Sequence, residues 1–162
     1  MTGEAEVPLI ARRRIEAELI GYVYGALKEE LGADRAKVLI ARAIRNAARD
    51  AGAALAAQES EMPGPRTLAA RQGIWAAGGA LDARVLELTD DSYAYEVVRC
   101  DYATMYRELG MEELGLVASC MRDAAFIEGY APDLALDRPE TIMEGHGKCV
   151  FRYRRVPIAK EG

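Results

Sequence analysis

The side chains best suited to chemistry are concentrated in the second half of the chain. All three cysteines and the single histidine occur after residue 95, at Cys100, Cys120, Cys149 and His146. Asp123 follows Cys120 by three residues, so on a helix these two side chains share one face. A thiol can serve as a nucleophile, a carboxylate as a general base and an imidazole as a proton carrier. We therefore hypothesise a thiol–carboxylate site in this half of the chain.

The positions of the other two cysteines suggest how such a site would assemble. Cys100 directly precedes Asp101, which would cap a short helix, and a thiol near a helix N-terminus can have a lowered pKa. Cys149 lies on the strand that leaves a tight turn around His146. If this strand lies beside the one that ends at Cys100, the thiols, the Asp123 carboxylate and the imidazole would converge on one pocket.

Each of these residues also has a purely structural explanation. Cysteine is among the residues most often buried in a core, and Asp123 can equally be an exposed partner of a nearby arginine. His146 lies between two glycines, which is typical of a loop. Three cysteines and one histidine match the ligand types of a zinc site, but the chain has no CxxC pair and the spacings are long. We predict no metal and no cofactor.

Length and composition favour one acidic domain over residues 1–162. The net charge is −5 and the pI is near 5.1, which makes nucleic acid an unsuitable partner. The run Arg12-Arg13-Arg14 is followed by glutamates and predicts a solvated helix face. No apolar segment is long enough to span a membrane, and the acidic N-terminus does not resemble a signal peptide. We expect a cytoplasmic protein with free thiols.

The periodicity predicts an α+β fold in which a helical N-terminal half, 8–80, packs on a small antiparallel sheet formed mainly by the C-terminal half. The mixed part spans 81–156, and 157–162 form a tail. We expect helices over 8–31, 34–58, 66–77, 101–109 and 111–129. We expect hairpins formed by 83–88 with 93–98 and by 141–143 with 148–155, and a short strand at 134–136.

The first helix carries a conspicuous apolar stripe. Ile15, Leu19, Tyr22 and Ala26 repeat at helical spacing. This stripe predicts a core-facing side, and the same pattern would also suit the interface of a homodimer.

An ordered set of short motifs runs between residues 95 and 153. The motifs are Cys100 with the following Glu-Leu-Gly, Glu113-Leu-Gly, Cys120-x-x-Asp123, Gly129-Tyr130, Pro132-x-Leu-x-Leu-x-Arg-Pro, Thr141-Ile-x-x-Gly145 and Cys149-x-Phe-Arg-Tyr. This set resembles the L-2-amino-thiazoline-4-carboxylic acid hydrolase family. One departure is Val150, where many relatives would have an acidic residue. This difference suggests a substrate other than the namesake compound.

The resemblance implies that water opens a small cyclic amidine or thiazoline-like ring at a non-peptide C–N or C–S bond. Asp123 would pair with the amidinium and act as general base. Cys120 or Cys100 would be the nucleophile of a covalent route, Cys149 would complete the thiol cluster, and His146 would carry a proton.

Four further residues are expected to bind the small-molecule substrate. Arg99 or Arg152 would pair with a substrate carboxylate. Tyr102 belongs to a concentration of tyrosines that could line a pocket, and Thr141 comes from the matched motif. Two alternatives remain open: an isomerase or cyclase that uses the same pocket, and a non-catalytic domain that resembles the vinyl-4-reductase-like sensors. A buried Asp123 beside a thiol would favour the hydrolase.

Overall fold

The computed structural model describes residues 7–157 and confirms the predicted α+β fold class. The predicted tail lies outside the described residues except for Pro157. Within the described part of the chain, no helix is long and apolar enough to cross a membrane.

Two long helices form most of the N-terminal half. Helix α1 spans Leu9–Leu31 and α2 spans Ala33–Ala56, and Gly32 joins them with a φ of +81°, a conformation that favours glycine. The predicted third helix is divided into α3, Pro65–Ala70, and α4, Gly73–Ala76. The division lies directly before Gly73, a residue type with low helix propensity.

The sheet has four antiparallel strands in the order β1-β2-β4-β3. Strand β1 spans Leu81–Leu88, β2 Ser92–Cys100, β3 Leu134–Asp137 and β4 Cys149–Arg155. The β1–β2 hairpin and the short strand β3 agree with the prediction.

The predicted second hairpin is wrong. Residues Ile142–Glu144 form a short 3-10 helix, because the Thr141 side chain accepts a hydrogen bond from the Glu144 backbone and closes the turn. Strand β4 instead pairs with β2 on one side and β3 on the other, so neither of its edges is open to residues 141–143.

Two further helices lie in the C-terminal half. Helix α5 spans Asp101–Glu108 directly after β2. The predicted helix over 111–129 forms as α6, Glu112–Gly115, and α7, Met121–Tyr130, linked by a π-helical turn over Leu116–Cys120. In this turn the Met121 N–H donates to the Leu116 carbonyl five residues earlier. This turn holds one residue more than an α-helical turn, so the side chains of α7 point in a different direction from the one a continuous α-helix would give them.

Helices α2 and α7 cross at two glycines. A Cβ atom on Gly52 would overlap the Phe126 carbonyl oxygen, and one on Gly129 would overlap the Arg49 carbonyl oxygen. The two backbones therefore approach more closely than any side chain would permit. This crossing holds α7 against α2 and sets the position of the residues on the neighbouring turns of α7.

The apolar stripe of α1 does not face the core. Ile15, Leu19 and Tyr22 are 68%, 66% and 82% exposed, whereas Ala17 and Tyr24 on the other side are buried. The prediction of a core-facing stripe is therefore wrong. Helix α1 is apolar on both sides, and contacts with α2 and α5 decide which side is covered.

Candidate active site

A cavity of about 380 Å³ lies between the helices and the inner face of the sheet. Helices α2, α4 and α7 and strands β2 and β4 contribute most of its wall. The lining is mainly apolar and aromatic and includes Leu55, Leu68, Trp75, Val97, Phe126, Ile127 and Phe151. Such a cavity has the size and character of a small-molecule site.

All three thiols and Asp123 line this cavity. Cys149 reaches it because β2 and β4 are adjacent, with Val97 opposite Cys149 in the antiparallel register. Cys120 ends the π-helical turn and Asp123 lies in the first turn of α7. Tyr102, from the start of α5, also lines the wall. The structure thus brings together five of the nine residues singled out from the sequence.

His146 and Thr141 lie outside the cavity lining. His146 is exposed, and its Nδ1 lies 3.1 Å from the Thr141 carbonyl oxygen. Thr141 is 2% exposed, and its hydroxyl donates to the Glu144 carboxylate over 2.7 Å. Both residues stabilise the turn before β4, so the expectation that they meet the substrate is not supported by their positions.

The two arginines expected to bind a substrate carboxylate also lie elsewhere. Arg99 is exposed and donates to the Gly79 carbonyl over 2.8 Å. Arg152 is exposed on β4 and donates to Asp137 over 3.4 Å. Arg152 points to the opposite face of the sheet because side chains alternate along a strand, and its neighbours Phe151 and Tyr153 line the cavity.

The cation that pairs with Asp123 is Arg138, which sequence reasoning missed. Its Nη1 donates to Asp123 Oδ2 in a short ion pair, and its guanidinium lies 5.4 Å from the centre of the Phe151 ring. Arg138 is the arginine of the Pro132-x-Leu-x-Leu-x-Arg-Pro motif. The motif therefore pointed to a role for Arg138. Its ion pair with Asp123 could not be predicted, because it forms only when the fold brings α7 next to the segment after β3.

Burial raises the pKa of Asp123 to about 6, and the neighbouring Arg138 limits this rise. The Asp123 side chain is 29% exposed and contributes to the cavity wall. Its Oδ2 accepts the hydrogen bond from Arg138, whereas Oδ1 has no hydrogen-bond partner among the described residues. At neutral pH the carboxylate is mostly ionised and retains an acceptor for a bound molecule.

The thiols are protonated at neutral pH. Burial, followed by the charge of Asp123, raises the pKa of Cys120 to about 12. Burial also raises the pKa values of Cys100 and Cys149. For Cys100 this effect outweighs the α5 backbone N–H groups that lower its pKa, so the expectation of an activated thiol at this helix terminus is wrong.

Two tyrosines on neighbouring strands complete the polar surface near Asp123. Tyr95 and Tyr153 line the cavity, and burial raises the pKa of each well above its ordinary value. Both hydroxyls therefore keep their protons, and because they are hydrogen-bonded to each other, the pair has one further proton to donate to a bound molecule. Tyr95 also stacks on Phe151 with ring centres 4.6 Å apart, which fixes its orientation.

A second charged group lines the cavity at α1 and the start of α7. Arg13 and Arg122 contribute to the wall, and both donate to the carboxylate of Glu16. The sequence placed Arg13 on a solvated face, and this prediction is wrong: the side chain is only 19% exposed.

Within residues 7–157, no group of three His, Cys, Asp or Glu side chains is arranged to hold a metal ion.

The fold and the cavity define an α+β protein with an ion pair and three thiols around a small-molecule-sized space. The chain belongs to the L-2-amino-thiazoline-4-carboxylic acid hydrolase family, whose model matches residues 12–153. This match confirms the family predicted from the motifs.

Other comparisons add a structural likeness. The chain is similar to a solved structure described as the phenol-responsive sensory domain of the transcription activator PoxR with phenol. The identity is 15%, the TM-score is 0.49, and the likeness covers 91% of this chain and 72% of that chain. No curated protein matches.

Proposed function

We propose that this protein is a hydrolase that opens a small cyclic amidine or thiazoline-like ring with water. The observation that carries the proposal is the position of Asp123, whose carboxylate contributes to a mostly apolar cavity that three thiols also line. The family description supports the same reaction class. A binding domain needs a cavity of suitable shape, but it does not need an ionised carboxylate with a raised pKa.

Asp123 has the properties of a general base. A pKa near 6 leaves it ionised at neutral pH, yet basic enough to take a proton from water. Arg138 holds Oδ2, so Oδ1 is the oxygen that would contact the substrate amidine or the attacking water. Arg138 therefore acts as a positioning residue that fixes the carboxylate.

The proposed reaction adds one water molecule across one ring bond. As the water oxygen bonds to the C=N carbon, one water proton passes to Asp123 and the π pair of the C=N bond goes to the nitrogen. The nitrogen takes the second water proton, which leaves an oxyanion on the attacked carbon. This oxyanion becomes the carbonyl as the ring C–S or C–N bond breaks, the electron pair of that bond goes to the leaving sulfur or nitrogen, and Asp123 returns its proton to the leaving atom. The hydrogen-bonded pair Tyr95–Tyr153 can donate one hydrogen bond to the developing oxyanion.

The thiols have a secondary role in this proposal. A resting thiolate at Cys120 is disfavoured by its pKa of about 12, so attack by this sulfur would require transfer of its proton to Asp123. We therefore place direct attack by water first and the covalent route through Cys120 second. The cysteines of the described chain are free, which agrees with the proposed cytoplasmic location.

The experiment is incubation of the purified protein with 2-amino-2-thiazoline-4-carboxylate and related cyclic amidines, followed by mass spectrometry of the products. The expected product is heavier than the substrate by one water and carries a new free thiol or amine. Reaction in ¹⁸O-labelled water should place the label in the product carbonyl. If no compound of this class is converted above the rate of a heat-denatured sample, the proposal is wrong.

A further inference from the structure

The surface that α7 contributes to the cavity changes from charged to apolar within one helical turn. Arg122 and Asp123 line the cavity in the first turn of α7, and Phe126 and Ile127 line it in the next turn. Successive turns of an α-helix are about 5.4 Å apart, so an apolar surface begins directly beside the Asp123 carboxylate. A ligand that contacts Asp123 therefore has this surface within reach of its substituents.

Three other helices extend the apolar surface. Leu55 of α2, Leu68 of α3 and Trp75 of α4 line the cavity together with Phe126 and Ile127. Trp75 packs edge-on against Phe126, with ring centres 5.4 Å apart and an angle of 89° between the rings. All five residues belong to one hydrophobic cluster or pack against it, and they are termed the apolar wall.

The protein itself covers the apolar wall only in part. Leu55, Trp75 and Phe126 are half-buried, and Ile74, which also lines the cavity, is 39% exposed. Aliphatic and aromatic side chains in this situation leave apolar surface in contact with water. Removal of such surface from water is the main driving force for the binding of apolar groups.

Helix α2 keeps the space beside the apolar wall open. Ala51 and Ala54 line the cavity, and both are exposed, so nothing beyond their methyl groups fills the space in front of them. Ala51 lies four residues before Leu55 and therefore on the same side of the helix. A larger side chain at either alanine would occupy space next to the apolar wall.

The cavity is larger than a simple cyclic amidine. Its volume of about 380 Å³ equals the share of about twelve water molecules in the liquid, at about 30 Å³ each. The ring and amino group of 2-amino-2-thiazoline have about six non-hydrogen atoms, so they fill about half of this volume. If the ring lies at Asp123, the remaining space is bounded by the apolar wall.

We propose that the apolar wall is a binding subsite, and that the substrate is a cyclic amidine with an apolar substituent of about four to six carbon atoms. The placement of the amidine at Asp123 rests on the proposed function. The substituent would extend along α7 from Asp123 towards Phe126 and Trp75. It would be recognised by burial and by contact with these two rings, and not by hydrogen bonds.

The subsite is tested by the affinities of three unbranched alkyl amidines: acetamidine, butanamidine and hexanamidine. All three offer the same amidinium group to Asp123 and differ only in the length of the apolar chain. Each added methylene that becomes buried should tighten binding by about fourfold. In isothermal titration calorimetry, hexanamidine should therefore bind at least about 50-fold more tightly than acetamidine.

Substitutions on α2 show where the chain binds. Ala51→Leu should weaken hexanamidine binding at least about tenfold, because the new side chain takes the place of two or more methylene groups. Acetamidine binding should change by no more than about twofold, since its contact with Asp123 is independent of this position. Ala54→Leu repeats the test at a second lining position. Ala47→Leu is the matched control, because Ala47 is exposed on α2 outside the cavity lining.

Several outcomes would overturn the subsite. Equal affinity of the three amidines, or binding of none of them, would do so. A chain-length preference that survives in both Ala51→Leu and Ala54→Leu would place the chain elsewhere. An equal loss in Ala47→Leu would show that the effect does not arise at the cavity. Thermal denaturation shows whether each variant is folded.

Turnover separates this inference from the hydrolase proposal. A 2-amino-2-thiazoline with a butyl group on the ring should have a kcat/KM at least about tenfold above that of the unsubstituted compound, because binding of a remote group lowers the barrier from free enzyme and substrate. If the amidine affinities follow chain length but no cyclic amidine is converted, the subsite stands and the proposed reaction fails. If the unsubstituted ring is converted and the butyl derivative is converted no better, the reaction stands and the subsite fails.

Discussion

Replacement of Asp123 by asparagine separates the chemical role of this residue from its structural role. The side chain keeps its size and an oxygen that can accept the hydrogen bond from Arg138, but it can no longer take a proton. If Asp123 is the general base, kcat/KM should fall by about 10²- to 10⁴-fold. The substrate KM should change much less, since most of the cavity wall is unaltered.

The effect on stability follows from the raised pKa. The rise of the Asp123 pKa from 3.8 to about 6 means that its ionisation destabilises the fold by about 3 kcal/mol at neutral pH. This value already includes the opposing attraction of Arg138, which lowers the pKa. Asparagine is neutral, as the protonated aspartic acid is, so the free energy of unfolding should be unchanged or should rise by up to about 3 kcal/mol.

The assay is hydrolysis of 2-amino-2-thiazoline-4-carboxylate followed by mass spectrometry, with urea denaturation in parallel. Asp137→Asn is the matched control, because Asp137 is an exposed carboxylate on β3 outside the cavity. The control should keep wild-type turnover. Turnover within about threefold of wild type in folded Asp123→Asn would refute the general-base role.

Three further predictions follow from the same geometry. Iodoacetamide at pH 7 should alkylate Cys120 at least about 100-fold more slowly than free cysteine, because burial raises its pKa to about 12. Gly52→Ala should lower the free energy of unfolding by about 1–3 kcal/mol or more, since the new Cβ would overlap the Phe126 carbonyl. The stability of wild type relative to Asp123→Asn should be greatest below about pH 4 and should decline by about 3 kcal/mol as the pH rises through about 6.

These predictions have their own controls. Mass spectrometry after alkylation identifies the modified cysteine, and rapid single-site labelling would contradict the raised pKa values. Gly25→Ala lies in α1, and no atom of the described residues outside the neighbouring turns of α1 lies within 4 Å of the new Cβ, so it should stabilise the protein by about 0.5–1 kcal/mol. Equal effects at Gly25 and Gly52 would contradict the close crossing. A pH-independent stability difference would contradict the raised pKa of Asp123.

The sequence was sufficient for the family, the fold class and the elements with a strong local pattern. The two long helices and the β1–β2 hairpin follow from periodicity and from turn residues, which act over a few neighbouring positions. The chemistry-bearing residues could be identified by type, since the three cysteines and the Cys120-x-x-Asp123 motif occur in one half of the chain. Their arrangement in one cavity is an outcome of packing, which the local pattern does not encode.

Only the tertiary structure decided which cations face the cavity. Arg99 and Arg152 lie near the thiols in sequence, but strand alternation and local hydrogen bonds direct them elsewhere. Arg138 and Arg13 come from a connecting segment and from the first helix, so their approach to Asp123 and Arg122 depends on contacts across the whole chain. Sequence distance is a poor guide to such long-range contacts.

The same difference between local sequence pattern and tertiary packing explains the raised pKa values of the thiols and the exposed side of the first helix. A helix N-terminus alone would lower the pKa of Cys100, but burial in the cavity wall reverses this effect because desolvation is set by the surrounding tertiary contacts. The α1 stripe could be recognised from spacing, yet spacing does not say which of two apolar sides meets the core. Local sequence therefore determined the elements and the reactive groups, and packing determined the protonation states, the partners and the exposed surfaces.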